Sequence, residues 1–209
     1  LQLLTGATGS LGAHILADLV SSSLVAKVIC LSRARSHEDS LARVRTSFEQ
    51  RSRTVSDWSK IESLSADINS DRLGLSSSEY EGLQRTVTAV ICNHWPVNFN
   101  YSLASFAPHI QGAINLLNLT QTSADDARFY FSSSVGTSQG VPRDTIPETF
   151  SSDPATAGGM GYGQSKWVVE KIMERVGEKK GAKVGVFRIG QLVGDSQKLV
   201  RTRSTSWSE

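Results

Sequence analysis

Cysteine is nearly absent: the 209-residue chain has two, Cys30 and Cys92, each inside an apolar run. Without metal-like spacing they predict reduced core thiols in a cytoplasmic protein, and no metal site is expected. Long hydrophobic stretches are missing as well. No run approaches the length of a membrane span, and no basic-then-apolar leader precedes the first apolar run. Charge of one sign is not in excess either. A net charge of +2, with basic residues scattered apart from the Arg33/Arg35 pair and the Lys179-Lys180 step, argues against nucleic acid or a membrane as partner. There is no internal repeat.

What is present is a rhythm. Short apolar runs at 1–4, 28–31, 61–64, 87–92, 129–131 and 184–189 read as strands, and segments 11–24, 38–50, 106–120 and 162–176 carry apolar residues at helical spacing. Strand alternating with helix predicts an α/β fold, a doubly wound parallel sheet of Rossmann type covered by helices on both faces. The length suffices for a full core in one domain, expected over residues 1–195. Residues 51–60 are polar and read as loop. Residues 135–160, with Pro142, Pro147, Pro154 and Gly158-Gly159, read as a long irregular excursion of the kind that is usually functional. Residues 196–209 are rich in serine and arginine without apolar periodicity, and are expected to be a disordered or divergent tail.

The first apolar run leads directly into Thr5-Gly-Ala-Thr-Gly-Ser-Leu-Gly12. Strand, glycine turn and helix in that order hold a dinucleotide pyrophosphate. Gly6 permits the tight exit from the strand, Gly9 lets the backbone approach a phosphate, and Gly12 lets the helix pack closely on the sheet. The helix N-terminal amides then face the anion. After the second strand, where an NAD-specific site places an acid on the ribose 2′-hydroxyl, stands Leu31-Ser32-Arg33-Ala34-Arg35. A guanidinium at Arg33 pairs with a 2′-phosphate, so NADP is expected over NAD. Asp67-Ile68 follows the third strand. Asp67 is read either as an acceptor for the adenine amino group or as a turn or cap residue.

Tyr162 and Lys166 lie four residues apart at the start of a predicted helix, which puts phenol and ammonium on one face. A nearby cation favours the phenolate and lowers a tyrosine pKa, and the same lysine can donate to nucleotide ribose hydroxyls. Ser132-Ser133-Ser134 comes just after the fifth strand run, where a hydroxyl can hydrogen-bond a substrate carbonyl. Serine, tyrosine and lysine together form a proton-delivery site for carbonyl reduction.

With these residues in that order, residues 3–195 resemble the extended short-chain dehydrogenase/reductase superfamily. Within it, the chain is similar to the thioester reductase domains that end carboxylic acid reductases, aminoadipate reductases and fungal nonribosomal-peptide-synthetase-like enzymes of secondary metabolism. The narrower likeness rests on Asn93-His-Trp-Pro-Val-Asn-Phe99, on Gly161-Tyr-Gly-Gln-Ser-Lys-Trp167, and on Arg188-Ile-Gly-Gln191 followed by Gly194-Asp195. The resemblance implies that Thr8, Gly9, Ser10 and Leu11 line the pyrophosphate. It implies that Arg33 and Arg43 hold the adenosine phosphate, that Asp67 and Ile68 flank adenine, and that Asn93 and His94 lie near the ribose. Ser134, Tyr162 and Lys166 would be the catalytic trio, with Ser133 the alternative serine. The implied chemistry is hydride transfer from NADPH to an acyl thioester on the phosphopantetheine arm of a carrier protein in the same parent polypeptide. An aldehyde would be released, which some relatives reduce on to the alcohol.

The chain departs from the family pattern at Cys92, where a histidine is expected, and at His94, where a small residue is expected. Relatives also continue past Asp195 into a substrate-binding subdomain, so the chain is expected to be the cofactor half of a larger enzyme with that subdomain truncated. Two other readings stay open: an extended reductase acting on a free carbonyl or sugar nucleotide, and an NADP-binding sensor or impaired fragment.

Overall fold

The computed structural model describes residues 1–193 apart from 52, 56, 124–126 and 143–144. The expected boundary at residue 195 and the tail at 196–209 lie outside the described residues. The strands are β1 (Gln2–Thr5), β2 (Val28–Ser32), β3 (Ile61–Ser65), β4 (Ala89–Cys92), β5 (Arg128–Ser134) and β6 (Lys183–Ile189). All pair in parallel, in the order β3-β2-β1-β4-β5-β6. This is the doubly wound Rossmann-type sheet that the alternation predicted. The order reverses between β1 and β4, and the crevice at the carboxyl ends of these two strands is where such sheets bind ligands.

Among the described residues, five α-helices cover the sheet: α1 (Ser10–Ser21), α2 (His37–Gln50), α3 (Ser77–Thr86), α4 (Ala107–Gln121) and α5 (Gly161–Lys180). A parallel strand buried on both faces needs apolar side chains in both directions, and β1 shows it. Leu3 joins the core formed with α3, α4 and α5, while Leu4 joins the core formed with α1 and α2, both at 0% exposure. Cys30 and Cys92 are buried free thiols, one in each core, as expected.

Two differences from expectation have physical causes. Helix α3 has no apolar stripe, because only Leu83 is buried. Its start is set instead by a capping box, in which the Ser76 hydroxyl accepts from the Glu79 amide and the Glu79 carboxylate accepts from the Ser76 amide. Strand β5 continues through all three serines, since its ladder with β6 runs on to Ser133↔Arg188 and Ser134↔Ile189. The described residues of the excursion at 135–160 form two short 3-10 turns, Val135–Ser138 and Pro154–Ala157, and are otherwise irregular. The described residues of the polar segment 51–60 are loop up to a 3-10 turn at Trp58–Lys60.

Candidate active site

The glycine turn leaves β1 with Gly6 at φ +72°, and a Cβ there would stand 2.4 Å from the Asn93 carbonyl oxygen. Gly12 meets the turn itself. A Cβ on it would lie 2.0 Å from the Gly6 carbonyl oxygen, so its close approach is to the loop backbone rather than to the sheet as expected. Gly9 is the N-cap of α1 and brings no capping side chain. The first-turn amides of Ser10, Leu11 and Gly12 therefore have no intrahelical acceptor, and they carry the positive end of the helix dipole. Thr8 is anchored from α2, whose Ser47 hydroxyl donates to its carbonyl at 3.1 Å.

Beside this turn lies a hollow lined by Thr8, Arg35, Asp39, Arg43 and Ser47 among others. Two guanidiniums against one carboxylate leave it cationic. Arg43 donates to the Arg33 carbonyl, which ties α2 to the end of β2. The Arg33 side chain is not part of this hollow. The chain bends after it, before Ser36 caps α2 by accepting from the Asp39 amide. The Arg33 charge acts instead toward Asp67, His94 and His109, where it is a minor cause of their lowered pKa values. Arg43 thus touches the backbone of Arg33, while Arg35 joins Arg43 in lining the hollow.

Asp67 is exposed and committed to its own turn. Its carboxylate accepts from the Ser70 hydroxyl at 2.7 Å and the Asn69 amide at 3.1 Å, which hold its pKa below the usual carboxylate value. Ile68 lies against Gly112 of α4, and the Asn115 amide donates to its carbonyl at 2.8 Å. At the end of β4 the Thr5 hydroxyl gathers the backbone: it accepts from the Asn93 amide at 2.9 Å, donates to the Ile91 carbonyl at 3.3 Å, and lies 3.0 Å from His94 Nδ1. Among the described residues, no hydrogen-bond partner meets the buried His94 Nε2. Burial, reinforced by His109 and Lys166, pushes the His94 pKa down to about 3, so the ring is neutral.

Helix α5 sets Tyr162, Lys166 and Glu170 on one face at successive four-residue steps. Lys166 is 3% exposed, and its ammonium donates to the Ser132 carbonyl. It lies 4.8 Å from the ring centres of both Trp95 and Phe131, and 5.7 Å from that of Tyr162. Burial lowers its pKa to about 7, against the pull of Cys92 and Glu170. Tyr162 packs edge-on against Phe99 and Phe106, with ring centres 5.2 and 6.1 Å away. Its pKa is raised, burial outweighing the hydrogen bond with Ser134. The expectation that Lys166 lowers it is corrected here: the ammonium is turned to the Ser132 carbonyl and sits among the rings, and burial weakens its own charge.

The serine is decided by the pleat. Ser133 shares the α5-facing side of β5 with Phe129 and Phe131, and its hydroxyl donates to Glu170 at 2.5 Å. Ser134 lies at the strand end, accepts from the Gly136 amide at 3.1 Å, and stands near enough to Tyr162 to lower the phenol pKa. Ser134, Tyr162 and Lys166 therefore come together, and Ser133 is engaged elsewhere. Beyond the residues picked from sequence, the site uses Trp95, Phe99 and Phe106 as walls. Trp95 and Phe99 belong to the Asn-His-Trp-Pro-Val-Asn-Phe string. Glu170, one turn beyond Lys166, was detectable by its spacing; nothing in the sequence singles out Phe106. Among the described residues, no group of three or more His, Cys, Asp or Glu is placed to hold a metal ion, and no helix is long and apolar enough to cross a membrane.

Residues 4–207 match the NAD-binding family model described as "Male sterility protein". The chain belongs to this family. Its likeness to the reductase domains of the extended short-chain dehydrogenase/reductase superfamily holds throughout. It is 38% identical over 98% of its length to a carboxylic acid reductase of Neurospora crassa, and 36% identical over 92% to the adenylate-forming reductase Nps9 of Serpula lacrymans. It covers 19% and 18% of those two proteins. The terminal R domain of the myxalamid PKS-NRPS pathway superposes with a TM-score of 0.83 at 30% identity, over 93% of this chain and 50% of that one. A nonribosomal peptide synthetase reductase (R) domain from Mycobacterium tuberculosis gives 0.74 at 26% identity, over 92% and 48%. Family members of this kind are oxidoreductases with a nicotinamide dinucleotide site.

Proposed function

We propose that this chain is the cofactor-binding part of an NADPH-dependent thioester reductase, acting on an acyl group carried by the phosphopantetheine arm of a carrier protein in the same parent polypeptide. The observation that carries the reading is the neighbouring Ser134 and Tyr162 with Lys166 one turn further along α5, whose ammonium lies 5.7 Å from the centre of the Tyr162 ring. The chain fits a dinucleotide: α1 begins uncapped at Gly9, and the cationic hollow of Arg35 and Arg43 adjoins Thr8. Thr8, Gly9, Ser10 and Leu11 would hold the pyrophosphate, Arg35 and Arg43 the 2′-phosphate, and Asn93, His94 and Lys166 the nicotinamide-side ribose. Ile68 would flank adenine, with Asp67 shaping the turn beside it and Arg33 lining the same side. The free buried thiols accord with the cytoplasm, a reducing compartment.

Bound NADPH would supply the hydride to the acyl carbonyl carbon. A raised pKa keeps Tyr162 protonated at neutral pH, so its phenol can give a proton to the carbonyl oxygen. The Ser134 hydroxyl would donate to the same oxygen while its own oxygen accepts from the Gly136 amide. Collapse of the resulting hemithioacetal breaks the carbon–sulfur bond, releasing the pantetheine thiol and an aldehyde. The test is NADPH oxidation followed by absorbance with an acyl-pantetheine thioester, beside Tyr162→Phe. Oxidation that depends on Tyr162 supports the proposal. Turnover of a free ketone or sugar nucleotide but not of the thioester, or NADPH binding without any turnover, would replace it.

A further inference from the structure

Behind the catalytic trio, a second set of polar side chains is buried for which the hydride and proton transfers have no use. The Glu170 carboxylate is 1% exposed and receives the Ser133 hydroxyl together with the Arg188 guanidinium, whose Nη2 stands 2.7 Å and whose Nε stands 3.2 Å from its oxygens. Arg188 is the β6 partner of Ser133 in the parallel ladder. Its guanidinium also reaches out of the sheet, donating to the Pro147 carbonyl at 3.3 Å and the Thr149 carbonyl at 3.0 Å. One ion pair thus joins α5, β5, β6 and the excursion between β5 and α5.

Burying a carboxylate against a partly buried guanidinium is a poor way to gain stability, since an apolar pair of similar volume usually does as well or better. What an apolar pair lacks is direction. Three consecutive residues of β5 are each met by one side chain of the same α5 face. The Ser132 carbonyl is bound by Lys166, the Ser133 hydroxyl by Glu170, and Ser134 neighbours Tyr162, whose pKa it lowers. A rotation at Ser133 would therefore move the lysine and the catalytic hydroxyl together.

We infer that Glu170 and Arg188 are positioning residues, which lock the end of β5 so that Ser134 stays on Tyr162 and tether residues 147–149 as a fixed wall of the substrate side. The second half of this inference rests on the function proposed above; the tether itself does not.

The test compares the 209-residue chain with a Glu170→Gln/Arg188→Met double variant, which orphans no buried charge, and with Arg188→Lys. Hydrogen exchange, thermal unfolding and an ultraviolet titration of the Tyr162 phenol, blanked against Tyr162→Phe, are read on each. The double variant is expected to unfold cooperatively, with exchange in β1 to β4 unchanged. Amides at 134–138 and 145–153 should exchange about tenfold faster or more, as local opening predicts. The phenol should titrate at higher pH, since the Ser134 hydrogen bond is what draws it down. Arg188→Lys is expected to repeat the loop effect, because one ammonium cannot span a carboxylate and two carbonyls. Unchanged exchange in both segments, or a rise spread evenly over the sheet with no shift of the phenol, would overturn the inference. These readouts need no turnover, so a failure of the thioester reading leaves them decisive.

Discussion

The Lys166 ammonium lies 4.8 Å from the centre of the Trp95 ring, and the Trp95 indole is itself pinned by donating to the Ser165 hydroxyl at 3.2 Å. Trp95 also stacks on Phe106, with ring planes 9° apart. The lysine therefore sits in a box of aromatic faces that attracts a cation while excluding the water that would solvate it. The two effects oppose each other, and burial wins: the lysine pKa falls to about 7.

That value makes cofactor affinity depend on pH. Above about 7 the free chain loses the ammonium proton, and with it the charge-assisted donors that Lys166 would offer the ribose. NADPH binding, measured by fluorescence titration, is expected to weaken as pH rises from 7 to 9, by up to about tenfold per unit. Lys166→Met should bind more weakly at pH 6 and show a flat profile. Identical slopes in the two proteins would show that the lysine does not meet the nucleotide.

His94 gives a pH dependence of stability. Its ring accepts a proton near 6.5 when exposed but only near 3 when folded. Between these values the unfolded chain binds the proton and the folded chain does not, so stability falls as pH drops from 6.5 toward 3. The loss should be on the order of a few kcal/mol. Lys166 acts in the same sense over a separate window, with stability falling as pH drops from 10.5 to about 7. Urea unfolding from pH 7 to 4 is expected to show a shallower slope in His94→Gln. An equal slope in the variant would assign the acid sensitivity to other groups.

The cationic hollow predicts how the chain tells NADPH from NADH. Arg35→Ala and Arg43→Ala should each weaken NADPH about 10- to 100-fold, the worth of one or two charged hydrogen bonds, and leave NADH unchanged. Arg33→Ala, whose side chain lies outside the hollow, should weaken both dinucleotides alike. If Arg33→Ala alone abolished the preference, the hollow would not be the phosphate site.

Backbone crowding at the turn predicts a stability effect without any ligand. Gly12→Ala would drive a methyl to 2.0 Å from the Gly6 carbonyl, and Gly6→Ala would add a left-handed backbone to a 2.4 Å clash with Asn93. Each is expected to cost about 1–3 kcal/mol in urea unfolding and to abolish dinucleotide binding. Gly9→Ala, whose nearest neighbour would be 3.2 Å away, should cost less.

Much of the sheet was legible because parallel strands buried on both faces leave continuous apolar runs. Helix α3 was not, since its one buried residue, Leu83, makes no stripe, although Ser76 and Glu79 marked its start. At the site, Tyr162 and Lys166 could be read from a four-residue spacing that a helix turns into a shared face. Arg35 was not singled out, because its place beside Arg43 in the hollow is a feature of the folded chain.

The sequence by itself determined the strand–turn–helix order at Gly6 to Gly12, the alternation that builds the sheet, and the tyrosine–lysine pair, all of which depend on local spacing. Only the tertiary structure decided that Ser134 rather than Ser133 faces Tyr162, that Trp95 roofs Lys166, and that Arg188 reaches Glu170. Those choices join residues far apart in the chain. They are made by the pleat of β5, the register of β6 and the exclusion of water between sheet and helix, none of which is written in any one segment.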